Sequence, residues 1–194
     1  DWNRLKETSR VSLVPDPVFF SQFSHYMNPS QLEEVLCSLD FNVLIDEVEE
    51  AFDLCAYASA QMIARTPSSS LPLISCYCPS VLRLIQSRFP ELLSRVVHIC
   101  SPLELGADLW RMRTNSSVPV TLFAPCSSKI TMIKEPQGRE RSPIDHAVTV
   151  RRVARSIMAS NVSLGAGQAL KERNNRWVQW ARRGGEARHI QAFS

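Results

Sequence analysis

The sequence SCYCP at residues 75–79 stands between a short apolar run, LPLI at residues 71–74, and a second apolar stretch, SVLRLI at residues 80–85. The first run predicts a buried strand that ends near residue 76, and the second predicts a helix over residues 80–88. Two thiols and a proline therefore lie where a strand passes into a helix. In an open α/β sheet, ligands and catalytic groups collect at this end of a strand.

The same alternation of strands and helices extends outward in both directions. Apolar runs predict further strands at residues 11–14, 41–45, 96–100, 119–124 and 144–150. Apolar residues at helical spacing predict helices at residues 18–26, 29–36, 46–64, 89–93, from 101 onward, and 151–158. Strands with few charges that alternate with helices indicate an α/β fold with a mainly parallel sheet, or sheets, flanked by helices. We expect one domain over residues 1–194, with one or two lobes.

The composition is typical of a globular protein, with 44% hydrophobic and 21% charged residues among 194. No apolar run approaches the ~20 residues of a membrane span, and the start of the chain lacks a signal-peptide pattern. We therefore expect a cytoplasmic protein that does not bind a membrane. Because the chain begins with Asp1 rather than methionine, we expect a processed protein or a piece of a longer one.

Charge is unevenly distributed along the chain. Residues 1–138 carry 11 basic and 15 acidic side chains, whereas residues 139–194 carry 11 basic and 4 acidic ones. The basic part includes a less regular segment over residues 160–194, with Trp177 and Trp180 spaced to share a helix face in the core. A solvated helix face is the favoured explanation for the basic charge, and a surface for nucleic acid or phosphate is the alternative.

The chain contains six cysteines, which we expect to be reduced because no export signal is visible. Cys37 and Cys55 lie on apolar helical stripes and are predicted to be buried thiols that pack as small hydrophobic groups. The one-residue spacing of Cys76 and Cys78 is not that of a zinc knuckle, and no second pair follows at zinc spacing. A zinc site is therefore not expected.

Two predicted strand ends carry a cysteine beside a proline, one at Cys78 and the other at Cys126. If both strands belong to one parallel sheet, the two thiols can converge at the same edge. Lys129 lies one helical turn after Cys126, so it returns to the same face. A lysine in this position can lower the pKa of a neighbouring thiol and hydrogen-bond an anionic ligand.

Several motifs occur together in an order that resembles the catalytic domain in the large chain of iron-only (di-iron) hydrogenases. They are LISCYCP at 73–79, FPEL at 89–92, SP at 101–102 with Gly106, APCSSK at 124–129 and IDHAVT at 144–149. The resemblance covers most of residues 11–158. It implies a fold of two α/β lobes with a four-iron cluster between them, held by four cysteines, one of which bridges to a di-iron centre.

The resemblance assigns roles to individual residues. It makes Cys78 and Cys126 two of the four ligands of the cluster, and Lys129 a cofactor-binding and catalytic residue. Tyr77 stands where the family has a proton-relaying cysteine, and a tyrosine with a reference pKa of about 10 relays protons poorly near neutral pH. Met132 stands where the second motif has a glutamate. No cysteine follows Cys126, so the third motif, which supplies the last two ligands, is absent.

These departures favour a sensor-type relative, cut before its third cysteine motif, over a working hydrogenase. In such relatives an iron–sulfur module precedes this domain and a signalling module follows it. The resemblance implies a 4Fe-4S cluster and a di-iron centre (the H-cluster) in the parent protein, and no cofactor or catalysis in this chain alone. Two alternatives remain: an active hydrogenase, and a non-metal α/β module whose basic tail binds a partner. Nucleic acid is not the expected partner.

Overall fold

A four-stranded parallel sheet forms the centre of the molecule. The computed structural model describes residues 11–23, 28–136, 138–159 and 176–194. The strands are β1 (Ser12–Pro15), β2 (Asn42–Val43), β3 (Val120–Ala124) and β4 (His146–Thr149), in the order β2-β1-β3-β4. Every paired strand is parallel, with Leu13 opposite Thr121 and Leu122 opposite Ala147. The predicted α/β class with a mainly parallel sheet is confirmed.

Burial distinguishes the two central strands from the two edge strands. All residues of β1 and β3 are buried, as expected for near-continuous apolar runs covered on both faces of a parallel sheet. The residues of β2 and β4 are exposed or half-buried, apart from the buried Val148. The central position of β1 and β3 brings the residues that follow them, at their carboxyl ends, to one edge of the sheet.

Eight α-helices surround the sheet in the described part of the chain. They are α1 (Pro17–Ser21), α2 (Pro29–Ser38), α3 (Ile45–Arg65), α4 (Pro79–Arg88), α5 (Pro102–Thr114), α6 (Ser127–Lys134), α7 (Val150–Ala159) and α8 (Gly185–Gln191). Shorter 3₁₀ helices span Ser68–Ser70, Pro90–Arg95 and Trp177–Ala181. None of the helices in these described segments combines the length and the hydropathy that a bilayer crossing requires.

Local sequence signals account for several helix boundaries. Asn28 and Gln31 form a reciprocal capping box at the start of α2, where the sequence predicts that a helix begins. Asp46 and Glu47 occupy the first turn of α3, where their charge complements the helix dipole. Helix α1 ends at Ser21, earlier than the predicted residue 26, and the last predicted residues, 24–26, lie outside the described part of the chain.

The two strands predicted at residues 71–76 and 96–100 do not join the sheet. Only Ile74 and Val96 form a parallel bridge, in which Ile74 N donates to Arg95 O at 2.8 Å and Val97 N donates to Ile74 O at 2.9 Å. The sequence pattern also predicts that the run at 71–74 is buried, yet Leu71 is 37% exposed. A proline at position 72 cannot donate a ladder hydrogen bond, so this short run remains a bridge rather than a strand.

Helices α3 and α5 pack closely against each other in the core. A Cβ atom at Gly106 of α5 would lie 3.0 Å from Val48 Cγ2 and 3.1 Å from Val48 Cα. Glycine therefore permits an approach of the two backbones that a larger residue would prevent. On α3, Cys55 is buried as predicted. The same prediction for Cys37 on α2 is wrong: Cys37 is exposed, because the buried side of this helix is formed by Leu32, Val35 and Leu36.

The last described segment completes the core. Trp177 and Trp180 are buried in a 3₁₀ helix, so the prediction that they share a core-facing side is confirmed. Trp177 packs on Phe20 with ring centroids 5.3 Å apart, and Trp180 packs on Phe52 at 4.9 Å. The GAG sequence at residues 165–167, which predicts a turn, lies outside the described residues.

Candidate functional site

The carboxyl ends of β1 and β3 place a buried ion pair at the edge of the sheet. Asp16 follows β1, and its Oδ1 accepts a hydrogen bond from Val18 N at 3.0 Å, which caps α1. Lys129 lies in the first turn of α6, which follows β3. Lys129 Nζ donates to Asp16 Oδ2 at 2.7 Å, and the two side chains are 7% and 0% exposed.

Tyr77 covers this ion pair. Its hydroxyl donates to Asp16 Oδ2 at 3.3 Å, and Lys129 Nζ lies 3.6 Å from the centroid of its ring. The ring also contacts Phe52 and Trp180, with centroid distances of 5.9 and 5.2 Å. We call these three residues, the buried Asp16 and Lys129 with the half-buried Tyr77 over them, the buried triad after its ion pair.

The surroundings of Tyr77 keep its phenol protonated. Burial raises the pKa of Tyr77 well above its ordinary value of 10.0, and the negative charge of Asp16 and the hydrogen bond to it raise it further. A phenol of this kind neither releases nor takes up a proton near neutral pH. The arrangement suits a fixed hydrogen-bond donor.

A second carboxyl group lies behind the triad. Ser75 Oγ donates to Glu186 Oε1 at 2.6 Å and accepts from Tyr77 N at 3.1 Å. Burial raises the pKa of Glu186, while the hydrogen bond from Ser75 and the charge of Lys129 oppose this effect. Glu186 thus connects α8 to the loop that holds Tyr77.

The two predicted ligand thiols lie at the starts of two helices that contact each other. Cys78 is the N-cap residue of α4 and Cys126 that of α6, and both are exposed. Two positions after each cysteine, Ser80 Oγ and Ser128 Oγ form a hydrogen bond at 2.5 Å. The loop before Cys78 is not a strand of the sheet, but the structure nevertheless brings both helix starts to one place.

The predicted site residues thus divide into two groups. Cys78 and Cys126 face solvent, whereas Lys129, predicted to share the face of Cys126, is buried against Asp16. In the segments that the structure describes, no three His, Cys, Asp or Glu side chains are arranged to hold a metal ion. A four-iron cluster takes four thiolates, whereas only Cys78 and Cys126 lie at these two helix starts, so the described residues do not fit that cluster on their own.

The sequence interpretation missed Asp16 and Glu186. The PDP sequence at residues 15–17 indicated only the end of a strand, although an acidic residue at the carboxyl end of a buried strand is itself a signal of a site. Glu186 lies in a basic segment, and nothing in its spacing indicates its contact with Ser75. The contacts of both residues are with side chains that are distant in the sequence, so local spacing does not predict them.

His189 fixes α8 against the rest of the molecule. Trp180 Nε1 donates to His189 Nδ1 at 2.8 Å, so Nε2 carries the proton and donates to Asp53 Oδ1 at 2.7 Å. Burial lowers the pKa of His189 below its ordinary value of 6.5, and the hydrogen bond to Asp53 opposes this shift. The folded protein therefore holds a neutral imidazole, because a second proton would remove the acceptor that Trp180 uses.

A pH dependence follows from this neutral histidine. Because the pKa is lower in the folded state, the unfolded state binds more protons as the pH falls below about 6.5, and the stabilisation is lost as the pH falls towards the folded-state pKa. We expect the difference in free energy of unfolding between the wild type and His189→Gln to be smaller at pH 5.5 than at pH 7.5, by at most about 1.4 kcal/mol per pH unit. Urea unfolding of both proteins at both pH values measures this difference in free energy of unfolding. The same difference at pH 5.5 and at pH 7.5 would contradict the neutral imidazole.

Comparison with known proteins gave a family and a fold. Residues 10–191 match the family model described as iron only hydrogenase large subunit, C-terminal domain. Among curated proteins, no significant match was found.

Solved structures similar to this chain are [FeFe]-hydrogenases. A structure of HydA(deltaEFG) that concerns stepwise H-cluster assembly superposes with a TM-score of 0.61 at 14% identity over 84% of this chain. HydA1 from Chlamydomonas reinhardtii, in a single-residue variant, gives a TM-score of 0.61 at 13% identity over the same share. The chain covers 45% of each of these structures, so it spans less than half of their length. At this low sequence identity, the similarity to these structures shows a shared fold and nothing more.

Proposed function

The chain belongs to the family of C-terminal domains from the large subunits of iron-only hydrogenases, and from this premise we propose that it is a hydrogenase-like domain of the sensory kind, which does not turn hydrogen over. In the parent protein it senses hydrogen or redox state and passes the signal to a partner module in the cytoplasm. The observation that carries this proposal is the buried triad of Asp16, Tyr77 and Lys129.

The triad argues against hydrogen turnover because Lys129 and Tyr77, which occupy the two positions that catalysis would use, are both held in structural contacts. The ammonium of Lys129 is neutralised by Asp16 at 2.7 Å inside the protein, so its charge is used in a structural contact. The acid position is a phenol whose pKa is raised by burial. Efficient general acid–base catalysis needs a group whose pKa lies near the working pH, and Tyr77 is not such a group.

Cluster binding is proposed for the parent protein and not for this chain alone. Cys78 and Cys126 would be two of its thiolate ligands, and the exposed N-termini of α4 and α6 would place backbone N–H groups near a negatively charged cluster. We propose that the other two thiolates come from the part of the parent protein beyond this chain. We further propose that the chain is a piece of a longer protein, with an iron–sulfur module before it and a signalling module after it.

Iron analysis and visible absorbance of the parent protein, prepared without oxygen, test this proposal. We expect bound iron in the wild type and loss of most of it in Cys78→Ser and in Cys126→Ser. Cys37→Ser, a change at another exposed cysteine, serves as the matched control and should retain the iron. A parent protein that carries four candidate thiolates and yet binds no iron would refute the cluster proposal and favour a non-metal interaction module.

Hydrogen evolution with a reduced dye separates the sensor from an active hydrogenase. We expect no hydrogen above the dye background from the iron-loaded parent protein, and no gain on Tyr77→Cys alone, because Lys129 stays paired with Asp16. Sustained evolution by the wild type would overturn the sensor proposal in favour of the enzyme.

A further inference from the structure

A pair of cysteines outside the site described above lies between α3 and the start of α5. Cys55 Sγ donates to the backbone oxygen of Cys100 at 3.6 Å. Residue 55 lies in the middle of α3, and residue 100 directly precedes the serine that begins the α5 segment. The tight packing of these two helices therefore holds the two thiols together.

The two cysteines differ in access to solvent. Cys55 is 2% exposed, whereas Cys100 is exposed and lines a cavity of about 600 Å³ together with Glu104, Asp108 and Arg139. Cys76 also lines this cavity, so a small reagent that enters it reaches both Cys100 and Cys76, and the buried Cys55 lies next to Cys100. This is the arrangement of a reactive thiol beside a resolving thiol.

The charges around the pair support a difference in reactivity. When Cys100 ionises, the neighbouring Cys55 thiol can turn to donate to its thiolate, which lowers the pKa of Cys100 to about 7; Arg139 contributes, whereas burial and the negative charge of Asp108 oppose this shift. The same hydrogen bond and burial raise the pKa of Cys55. Glu104 also faces the cavity, and burial raises the pKa of its carboxyl group. At neutral pH a large fraction of Cys100 is thiolate, which is the reactive form.

We propose that Cys55 and Cys100 form a reversible dithiol–disulfide site that is oxidised by hydrogen peroxide. The Cys100 thiolate attacks one oxygen of the peroxide, the O–O bond breaks, and Cys100 becomes a sulfenic acid while the released hydroxide takes up a proton to form water. The sulfur of Cys55 then attacks the Cys100 sulfur, and the hydroxyl group leaves with the proton of Cys55 as a second water. Two thiols lose two electrons, the peroxide gains them, and a small dithiol reverses the change.

This site is independent of the proposed sensor function, because it involves neither Cys78 nor Cys126. A third thiol, Cys76, lies near the pair, and its Sγ donates to Ile99 O at 3.4 Å. Cys76 is the other possible partner of Cys100, so the experiment must identify which bond forms.

The test treats the purified, reduced 194-residue chain with one equivalent of peroxide, blocks the remaining thiols, and maps the peptides without reduction. We expect a crosslink between the peptides of Cys55 and Cys100, the loss of two thiols per chain, and full recovery with dithiothreitol. At pH 7 we expect Cys100 to react about tenfold faster than free cysteine in solution, because its lower pKa leaves a larger fraction as thiolate.

Variants separate the two steps. Cys100→Ser should keep the thiol of Cys55 reduced, whereas Cys55→Ser should stop at a sulfenic acid on residue 100 that dimedone traps. Cys37→Ser, on the exposed surface of α2, should form the same crosslink as the wild type. A crosslink between Cys76 and Cys100, or oxidation spread equally over all exposed cysteines, would overturn the proposal.

Discussion

Replacing Lys129 by methionine is expected to lower the free energy of unfolding by about 3–5 kcal/mol, the usual cost of removing one partner of a buried ion pair. The side chains of Lys129 and Asp16 are almost completely buried, and the carboxylate would keep its hydrogen bonds from Val18 N and Tyr77 but lose its counter-charge. Urea unfolding at pH 7 measures this loss.

A matched control and a rescue make this prediction specific. Lys134→Met lies on the same helix at an exposed position and should change the stability by less than about 0.5 kcal/mol. The double variant Asp16→Asn with Lys129→Met should regain most of the loss, because asparagine still accepts the capping hydrogen bond and no buried charge remains. A double variant as unstable as Lys129→Met would contradict a charge-pair explanation.

The consequence for function is direct. If the ion pair carries this much stability, then Lys129 cannot exchange Asp16 for an anionic ligand without a comparable cost. The lysine that the family motif contains would then act as a structural residue in this chain.

The second large effect is expected at Phe52, the residue where the core and the candidate site meet. Its ring is fully buried and contacts those of Tyr77, Trp177 and Trp180 at centroid distances between 4.9 and 5.9 Å. Phe52→Ala should cost about 3–5 kcal/mol, through lost apolar burial and the cavity that remains.

Leu54, two residues later on the same helix, offers the control. It is 45% exposed, so Leu54→Ala should cost well under half as much as Phe52→Ala. Tryptophan fluorescence during urea unfolding reports on both variants, because Trp177 and Trp180 pack on Phe52. Similar losses in the two variants would show that the aromatic cluster is not the core of this region.

The central elements could be predicted because long apolar runs define them. Other strands could not, because a strand forms only where a neighbouring strand pairs with it. The strand at 120–124 and helix α3 follow from residue patterns alone. Residues 71–76 have an equally apolar pattern, but whether a strand forms depends on a neighbour, and Val96 provides only one bridge. Cys37 and Cys55 likewise lie on similar stripes, and only the packing of α3 against α5 decides that Cys55 is the buried one.

The candidate site was predictable in its location and not in its internal contacts. The cysteines beside the two prolines identified the edge where α4 and α6 begin. The partner of Lys129 could not be inferred, since Asp16 is 113 positions away in the sequence. Local spacing constrains residues within a helical turn of each other, and it carries no information about a contact at this distance.

The packing of Trp177 against Phe20 also affects how the protein folds during synthesis. The first strand cannot complete its pairing until β3 has left the ribosome, and the core around Phe52 stays open until residues 177–180 follow. Contacts between residues so distant in sequence slow folding, and the nascent chain meanwhile exposes aromatic side chains that favour aggregation. The core around Phe52 should therefore form only after residues 177–180 have left the ribosome, and the domain should depend on a chaperone more than a helical bundle of the same length.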